Sequence, residues 1–321
     1  MPKFVFMPPM DDLKWEWARR LSDSMPEYEV VSAETEADAR REIVDADAAF
    51  GWVPPDALQL AKKLKWLQNP DTGPFAGYFY PELIEHPVTV CNPRGIYSDH
   101  ISHHIMMYML GLSRGLPYYF DAQRSSTWNQ EARQSKYQFL PDSTVLISGV
   151  GGVGHETARL CHAFGMRVLG VEPRPEHDVP FVEMHDTDEL DVLLPQADFV
   201  VSTTPHTPET VGMWNMTRFK VMKPTAYFIS TGRGKTTVLE DLTMAIEQGE
   251  IAGCGLDVYE VEPLPVDHRL WKLPNVILTP HVAVRDAENL PERRYQMILE
   301  NARRFATGRP LQNVVDKARW Y

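Results

Sequence analysis

The chain is poor in cysteine, in net positive charge and in long apolar runs. Only Cys91, Cys161 and Cys254 occur in 321 residues, far apart, odd in number, and without a CxxC pair or a histidine spacing suited to zinc. They read as buried small hydrophobes in a reducing compartment, which excludes a disulfide-stapled scaffold. Lys and Arg number 32 against 44 Asp and Glu, a formal charge of −12, so the electrostatic footprint of a nucleic-acid binder is missing. No run approaches the ~18 apolar residues of a membrane span, and the amino-terminal MPKFVFMPPMDD breaks into prolines and acids after a short apolar stretch. A cytoplasmic protein with neither nucleic-acid nor membrane partners is expected. What remains is ordinary for a globular chain: 43% hydrophobic and 24% charged residues, at a length that suits two domains of ~150 residues each.

Short β-like runs alternate with helical patterns from the start: KFVFM (3–7), YEVVSA (28–33), AAFGW (48–52), LKWLQ (64–68) and VTVCN (88–92). A second series follows: TVLISGV (144–150), MRVLGVE (166–172), DFVVSTT (198–204), AYFIST (226–231), AGCGLDV (252–258) and NVILTP (275–280). These runs are nearly continuous in apolar residues, as strands covered by helices on both faces should be. Both halves are therefore α/β with parallel sheets. Between them, SDHISHHIMMYMLGLSRG (98–115) predicts a long apolar helix, and an irregular polar stretch follows it. After the last strand, DAENLPERRYQMILENARRFATGRP predicts another helix, with Pro291 near its start and Gly308 and Pro310 at its end. The tail LQNVVD could then return to the first domain, which would make that domain discontinuous.

Gly149-Val150-Gly151-Gly152-Val153-Gly154 fits GxGxxG, and its context is what gives it weight. It follows a strand directly and opens a helix. Its glycines can make the tight turn, admit a pyrophosphate to bare backbone and let helix pack on strand. Amides at the helix start, around Gly152 and Val153, then face the phosphates with the helix dipole behind them. The next strand ends in Glu172, which lies 18 residues beyond Gly154 and is placed to accept from an adenosine ribose diol and to repel a 2′-phosphate. That favours NAD. Arg174, two residues on, leaves NADP open, since a guanidinium can pair with a 2′-phosphate, and it reads equally well as a solvated surface charge.

At STGRGKTTVLEDLTMAIEQGEIAGCGLDVYEVEPLP (230–265) and NVILTPHVA (275–283) the sequence resembles the D-isomer-specific 2-hydroxyacid dehydrogenase family. The glycine turn, the GRG segment, LDVYEVEPLP and TPH occur in the family's order; the first ~100 residues match more loosely, chiefly in LKWLQ and CNPRG. The resemblance implies two doubly wound parallel-sheet domains, a Rossmann cofactor domain and a flavodoxin-like substrate domain, with a cleft between them. The cofactor domain is expected over 99–291, and a discontinuous substrate domain over 1–98 and 292–321. It also implies hydride transfer between NAD(P)H and a 2-keto acid to give a D-2-hydroxy acid. A corepressor-like NAD(H)-sensing protein without turnover is the alternative, because such relatives can keep the same residues.

The residue types suit that chemistry. A 2-keto acid needs a cation for its carboxylate and a proton donor for the developing alkoxide. Arg233, just past a strand, can hold a carboxylate through a bidentate fork. His281 follows another strand, at the carboxyl end of a parallel sheet where ligands of such folds bind. Glu262, by resemblance its partner, would favour the protonated imidazole; formate dehydrogenases of the same superfamily carry a glutamine in this role. Resemblance further assigns Asp257 to the nicotinamide carboxamide, and Thr204, Pro205, Thr231, Gly232 and Ala283 to the cofactor lining. Thr72 and Gly73 match the loop that meets the substrate carboxylate.

Departures from the family pattern bear on substrate. Ile101-Ser102-His103-His104 stands where the family has a small apolar residue, Ala, Glu and His or Tyr. His100, His103, His104, His206 and His281 have no carboxylate or cysteine at metal-ligand spacing, so no metal is expected. Trp52, Tyr78, Phe79 and Tyr80, with Tyr97 nearby, could wall a pocket for a larger or aromatic 2-keto acid, or simply pack in a domain core. The segment from Tyr118 to Leu140, with Trp128, resembles the part that wraps a partner subunit, which implies a homodimer.

Overall fold

The computed structural model describes residues 1–72, 77–128, 137–173, 179–285 and 287–319. They form two compact units, one from Met1–Ile96 with Glu288–Tyr321 and one from Tyr97–Ala287. The first unit opens with β1 (Lys3–Phe6), α1 (Asp12–Ser24), β2 (Glu29–Ser32), α2 (Glu36–Glu42), β3 (Ala48–Phe50), α3 (Pro55–Leu60), β4 (Trp66–Gln68), α4 (Pro81–Glu85) and β5 (Thr89–Cys91). Local chemistry sets the helix starts. The side chains of Asp11 and Thr35 accept from Lys14 N and Asp38 N, and Pro55 and Pro81 occupy first-turn positions where the missing N–H costs nothing. The five strands are all parallel in the order β2-β1-β3-β4-β5, the flavodoxin-like winding.

The second unit runs α5 (Ser98–Ser113), α6 (Leu116–Arg124), β6 (Thr144–Ser148), α7 (Gly152–Ala163), β7 (Arg167–Val171), β8 (Glu183–His185), α8 (Leu190–Leu193), β9 (Phe199–Ser202), α9 (Met216–Val221), β10 (Tyr227–Ser230), α10 (Leu239–Glu247), β11 (Gly253–Leu256) and β12 (Val276–Leu278). Its seven strands are parallel in the order β12-β11-β10-β9-β6-β7-β8, the Rossmann winding. β9, β10 and β11 are buried along their whole length, which is why their sequences show no polar alternation. Two apolar clusters cover the sheet. One is built on Trp214, Phe219 and Phe228, the other on Tyr108, Met109, Phe199 and Tyr227. The doubly wound class inferred from the sequence holds for both units, and all three cysteines are free and buried. Among the described residues no helix is long and apolar enough to cross a membrane.

From the second unit the chain returns to the first as α11 (Leu290–Ala306). Its inner face, Tyr295, Ile298, Leu299 and Ala302, packs with Phe4, Trp17, Leu21 and Trp66. Tyr28 Oη donates to Ala302 O, and the buried Asn301 amide donates to Gln68 Oε1 at 3.0 Å. Beyond the helix, Val314 bridges Cys91 and Val315 N donates to Val90 O, extending the sheet past β5. At the outer edge the Arg20 fork donates to both oxygens of Glu292 at 2.7 and 2.9 Å while lying over the Tyr295 ring. This pairing holds the Glu292 carboxyl at about 2, with the Arg20 hydrogen bonds as the main cause. The pair is half exposed, so its worth is at most about 1 kcal/mol. A carboxylate whose folded pKa is depressed contributes stability above its unfolded pKa and loses it as pH falls. Urea denaturation should therefore find Glu292→Gln less stable than the parent at pH 7, with the gap closing between about pH 4.5 and 2.

Candidate active site

The turn after β6 is made by absent side chains. Gly149 has φ +91°, and a Cβ on Gly154 would sit 2.1 Å from Gly149 O, so helix and turn can close only with glycine there. Thr203 Oγ1 donates to Gly149 O at 2.5 Å and ties the turn to the end of β9. Gly151 caps α7 with nothing within 4 Å of its missing side chain, and His155 N to Gly151 O is the first bond of the helix. The amides of Gly152, Val153 and Gly154 are thus first-turn donors, the first two at least partly exposed beside Gly151, with the helix dipole behind them. Thr231 Oγ1, at the end of β10, is buried without a partner. Bare backbone, first-turn donors and an orphaned hydroxyl fit a dinucleotide. Glu172 departs from the simple expectation, because its Oε2 accepts from Val150 N at 3.0 Å, which leaves Oε1 for a ribose. Arg174 lies outside the described residues.

Arg233 sits between two glycines that let three loops touch. A Cβ on Gly232 would be 2.6 Å from Thr204 O, and one on Gly234 would be 1.8 Å from Tyr259 O. The GRG segment is therefore wedged between the backbone after β9 and the backbone after β11. Arg233 is half-buried, and its Nη1 donates to Gly232 O at 2.7 Å. The same β11 loop carries Glu262, whose Oε1 accepts from Tyr259 N at 3.0 Å and whose Oε2 accepts from His281 Nδ1 at 2.8 Å. A carboxylate only accepts, so Nδ1 bears the proton of that bond and Nε2 remains for chemistry. The pair is partly exposed.

His281 itself has φ +54°, a left-handed conformation that a non-glycine residue keeps only when its surroundings enforce it. Asp257, 1% exposed, supplies the constraint. Its Oδ1 accepts from Thr279 Oγ1 and Val282 N, and its Oδ2 from Ala283 N at 3.0 Å. Three of a carboxylate's about four acceptor positions are filled, so one remains for a carboxamide. Ala283 cannot offer its N–H to a cofactor, because Asp257 has it. Beyond Thr279 the network continues to Tyr108 Oη at 2.5 Å and His104 Nε2 at 2.9 Å, both on α5. Burial pushes the His104 imidazole below its usual range, opposed by Asp257.

The family model for "D-isomer specific 2-hydroxyacid dehydrogenase, NAD binding domain" matches residues 106–283, more than half of the chain. The chain belongs to that family. It is similar to a glyoxylate reductase of Thermofilum pendens, 31% identical over 253 residues that cover 76% of this chain and 74% of the relative. A glyoxylate/hydroxypyruvate reductase A of Serratia proteamaculans is 28% identical over 94% of both chains. Among solved structures, the NADPH-dependent glyoxylate/hydroxypyruvate reductase of Sinorhizobium meliloti, in complex with NADP and sulfate, superposes with a TM-score of 0.81 at 27% identity, covering 100% of each chain. The protein is an NAD(P)-dependent 2-hydroxyacid dehydrogenase, and either nicotinamide cofactor fits it.

Several expected residues of this dehydrogenase take quieter places. Thr204 is buried, its hydroxyl shared with Ser202 Oγ at 3.1 Å, and Pro205 is exposed with its carbonyl accepting from Thr210 Oγ1. In the first unit Tyr78 corrects the sequence reading: it is 1% exposed and its hydroxyl donates to Gly51 O, so it is a core residue rather than a substrate wall. Phe79 is buried as well, and Tyr80 Oη donates to Val53 O. Trp52 stays partly exposed, Thr72 Oγ1 is buried without a partner, and Gly73 lies outside the described residues. His103 is exposed, and among the described residues no group of three or more His, Cys, Asp or Glu is placed to hold a metal ion.

Sequence reasoning missed Thr279, Tyr108, Gly234 and Gly255. The available signals were the threonine beside the TPH histidine and the i, i+4 spacing of His104 and Tyr108. The Gly234→Ala variant should lower kcat/KM by at least about 100-fold with unchanged circular dichroism, because the loops bearing Arg233 and Glu262 must part by roughly an ångström. Wild-type turnover would show that they are not wedged.

Proposed function

We propose that this dehydrogenase reduces a small 2-keto acid, glyoxylate or hydroxypyruvate, with His281 as acid–base group, Glu262 as its partner and Arg233 as the carboxylate anchor. The observation that carries the reading is the His281–Glu262 bond at 2.8 Å, made by two loops that end neighbouring strands. The names of the relatives support the substrate. The burial of Tyr78 and Phe79 removes two walls of the aromatic pocket expected from the sequence, which argues against a bulky side chain.

Held by the glycine turn, a nicotinamide cofactor would supply the hydride for the carbonyl carbon. Arg233 pairs with the substrate carboxylate and polarises the carbonyl through the same cation. His281 Nε2–H donates the proton that turns the developing alkoxide into the hydroxyl, and takes it back in oxidation. Glu262 keeps Nδ1–H engaged, so the ring cannot rotate and the imidazolium formed in oxidation is stabilised. The amides of Gly152 and Val153 hold the pyrophosphate, with Gly149, Gly151 and Gly154 shaping the turn. Thr231 and Gly232 line the nicotinamide side, and the fourth acceptor position of Asp257 takes the carboxamide. Glu172 Oε1 accepts from the adenosine ribose, and its charge disfavours a 2′-phosphate, so NADH is preferred although one relative is NADPH-dependent by its own name. Thr72 keeps its proposed substrate role through its backbone N–H, which the loop resemblance assigns to the substrate carboxylate.

NADH and NADPH oxidation with glyoxylate, hydroxypyruvate, pyruvate and phenylpyruvate tests this. Turnover should be highest with the first two, NADH should be the better donor, and His281→Ala should lower kcat by about 10²- to 10⁴-fold. Turnover by the parent no higher than by His281→Ala with every substrate would leave the NAD(H)-sensing alternative.

The exposed apolar side chains of Met107, Leu110, Leu116, Phe120, Trp128 and Phe139 on and after α5 and α6 support a homodimer built through this stretch of chain. Residues 129–136, within the segment expected to wrap a partner, lie outside the described residues. Light scattering at micromolar protein should give twice the chain mass, reverting to monomer in Phe120→Asp. A monomeric parent protein rejects the assembly.

A further inference from the structure

We infer that Tyr108 and His104, neither of which touches His281, are positioning residues for the acid–base loop, acting through Thr279 and Asp257. The inference rests on the reading of His281 as the proton donor and names what holds it in place. Hydrogen counting sets the direction of every bond. Asp257 only accepts, so the single hydroxyl hydrogen of Thr279 goes to its Oδ1 at 2.5 Å. Thr279 Oγ1 must then accept from Tyr108 Oη, and His104 Nε2–H donates to the pair, 3.0 Å from Tyr108 Oη and 2.9 Å from Thr279 Oγ1. All three donors are oriented toward one buried carboxylate.

That carboxylate spends its other bonds on Val282 N and Ala283 N, the two amides that follow the left-handed His281. On the near side, Thr279 N donates to Leu256 O, and Tyr259 Oη donates to Thr279 O at 2.9 Å. The loop is thus pinned at 279, 282 and 283, and Thr279 is held from α5 as well as from β11. The sheet makes room for this. A Cβ on Gly255 would lie 2.6 Å from the Tyr108 ring, so the ring seats directly on β11, and the edge-to-face packing of His104 on Tyr108 fixes both rings. Without the Tyr108 donor, His104 Nε2–H alone orients the Thr279 hydroxyl toward Asp257, and the third bond that sets the carboxylate's plane is weakened.

The test compares Tyr108→Phe, Thr279→Val and Thr279→Ser with the parent enzyme. Tyr108→Phe should lower kcat about 10-fold while KM for the 2-keto acid moves less than about 3-fold. Amide hydrogen exchange at Val282 and Ala283 should speed up about 10-fold. Thr279→Val should match it, the double variant should be no worse than Thr279→Val alone, and Thr279→Ser should restore kcat. Parent-like kcat and parent-like exchange in Tyr108→Phe overturn the inference, as does a loss spread equally over kcat and KM with no rescue by Thr279→Ser. Should Tyr108→Phe not fold, Thr279→Val and Thr279→Ser carry the same readings. An inactive parent would refute the proposed function instead, while the exchange rates would still decide whether α5 holds the loop.

Discussion

The loop that carries His281 is organised around the buried carboxylate of Asp257. Burying an unpaired carboxylate costs several kcal/mol, so the fold can keep it only by bringing donors to it. The donors it finds are Thr279, Val282 and Ala283, which bracket His281, and satisfying the charge therefore shapes the loop that bears the imidazole. The left-handed backbone at His281 is held by this arrangement. Once the ring is there, Glu262 on the neighbouring loop accepts from its Nδ1 at 2.8 Å.

The second recurring device is close backbone approach through glycine. Gly154 lets α7 close on the turn at Gly149, and Gly232 and Gly234 let the Arg233 loop lie against the chain at Thr204 and Tyr259. Gly255 seats Tyr108 on β11. In each case a methyl group would stand closer to its neighbour than atoms allow. These glycines draw the carboxyl ends of β9, β10 and β11 together, where parallel sheets of this winding bind their ligands.

Much of this was legible in the sequence because strands buried on both faces leave unbroken apolar runs and because phosphate-binding turns need glycine at set spacing. Each of the twelve strands but one, β8, falls within a run picked out from the sequence; EMH at Glu183–His185 is too short and polar to stand out. Arg233, Glu262, His281 and Asp257 were singled out by type and position, and the contact between Glu262 and His281 spans 19 residues of chain. For Tyr78 the sequence left two readings open, because an aromatic in a proline- and glycine-rich loop looks the same whether it lines a pocket or fills a core. Only the hydrogen bond to Gly51 O and the burial decide.

The sequence by itself determined the class of fold, the place of the dinucleotide turn and the residue types available for acid–base work, since these follow from periodicity and local backbone chemistry. Only the tertiary structure decided how those residues are held. The link from His104 and Tyr108 to Thr279 spans more than 170 residues, and the turn of Glu172 back onto Val150 N depends on where β6 and β7 come to lie. Contacts of that range are set by the packing of helices on a sheet, and no local pattern in the chain encodes them.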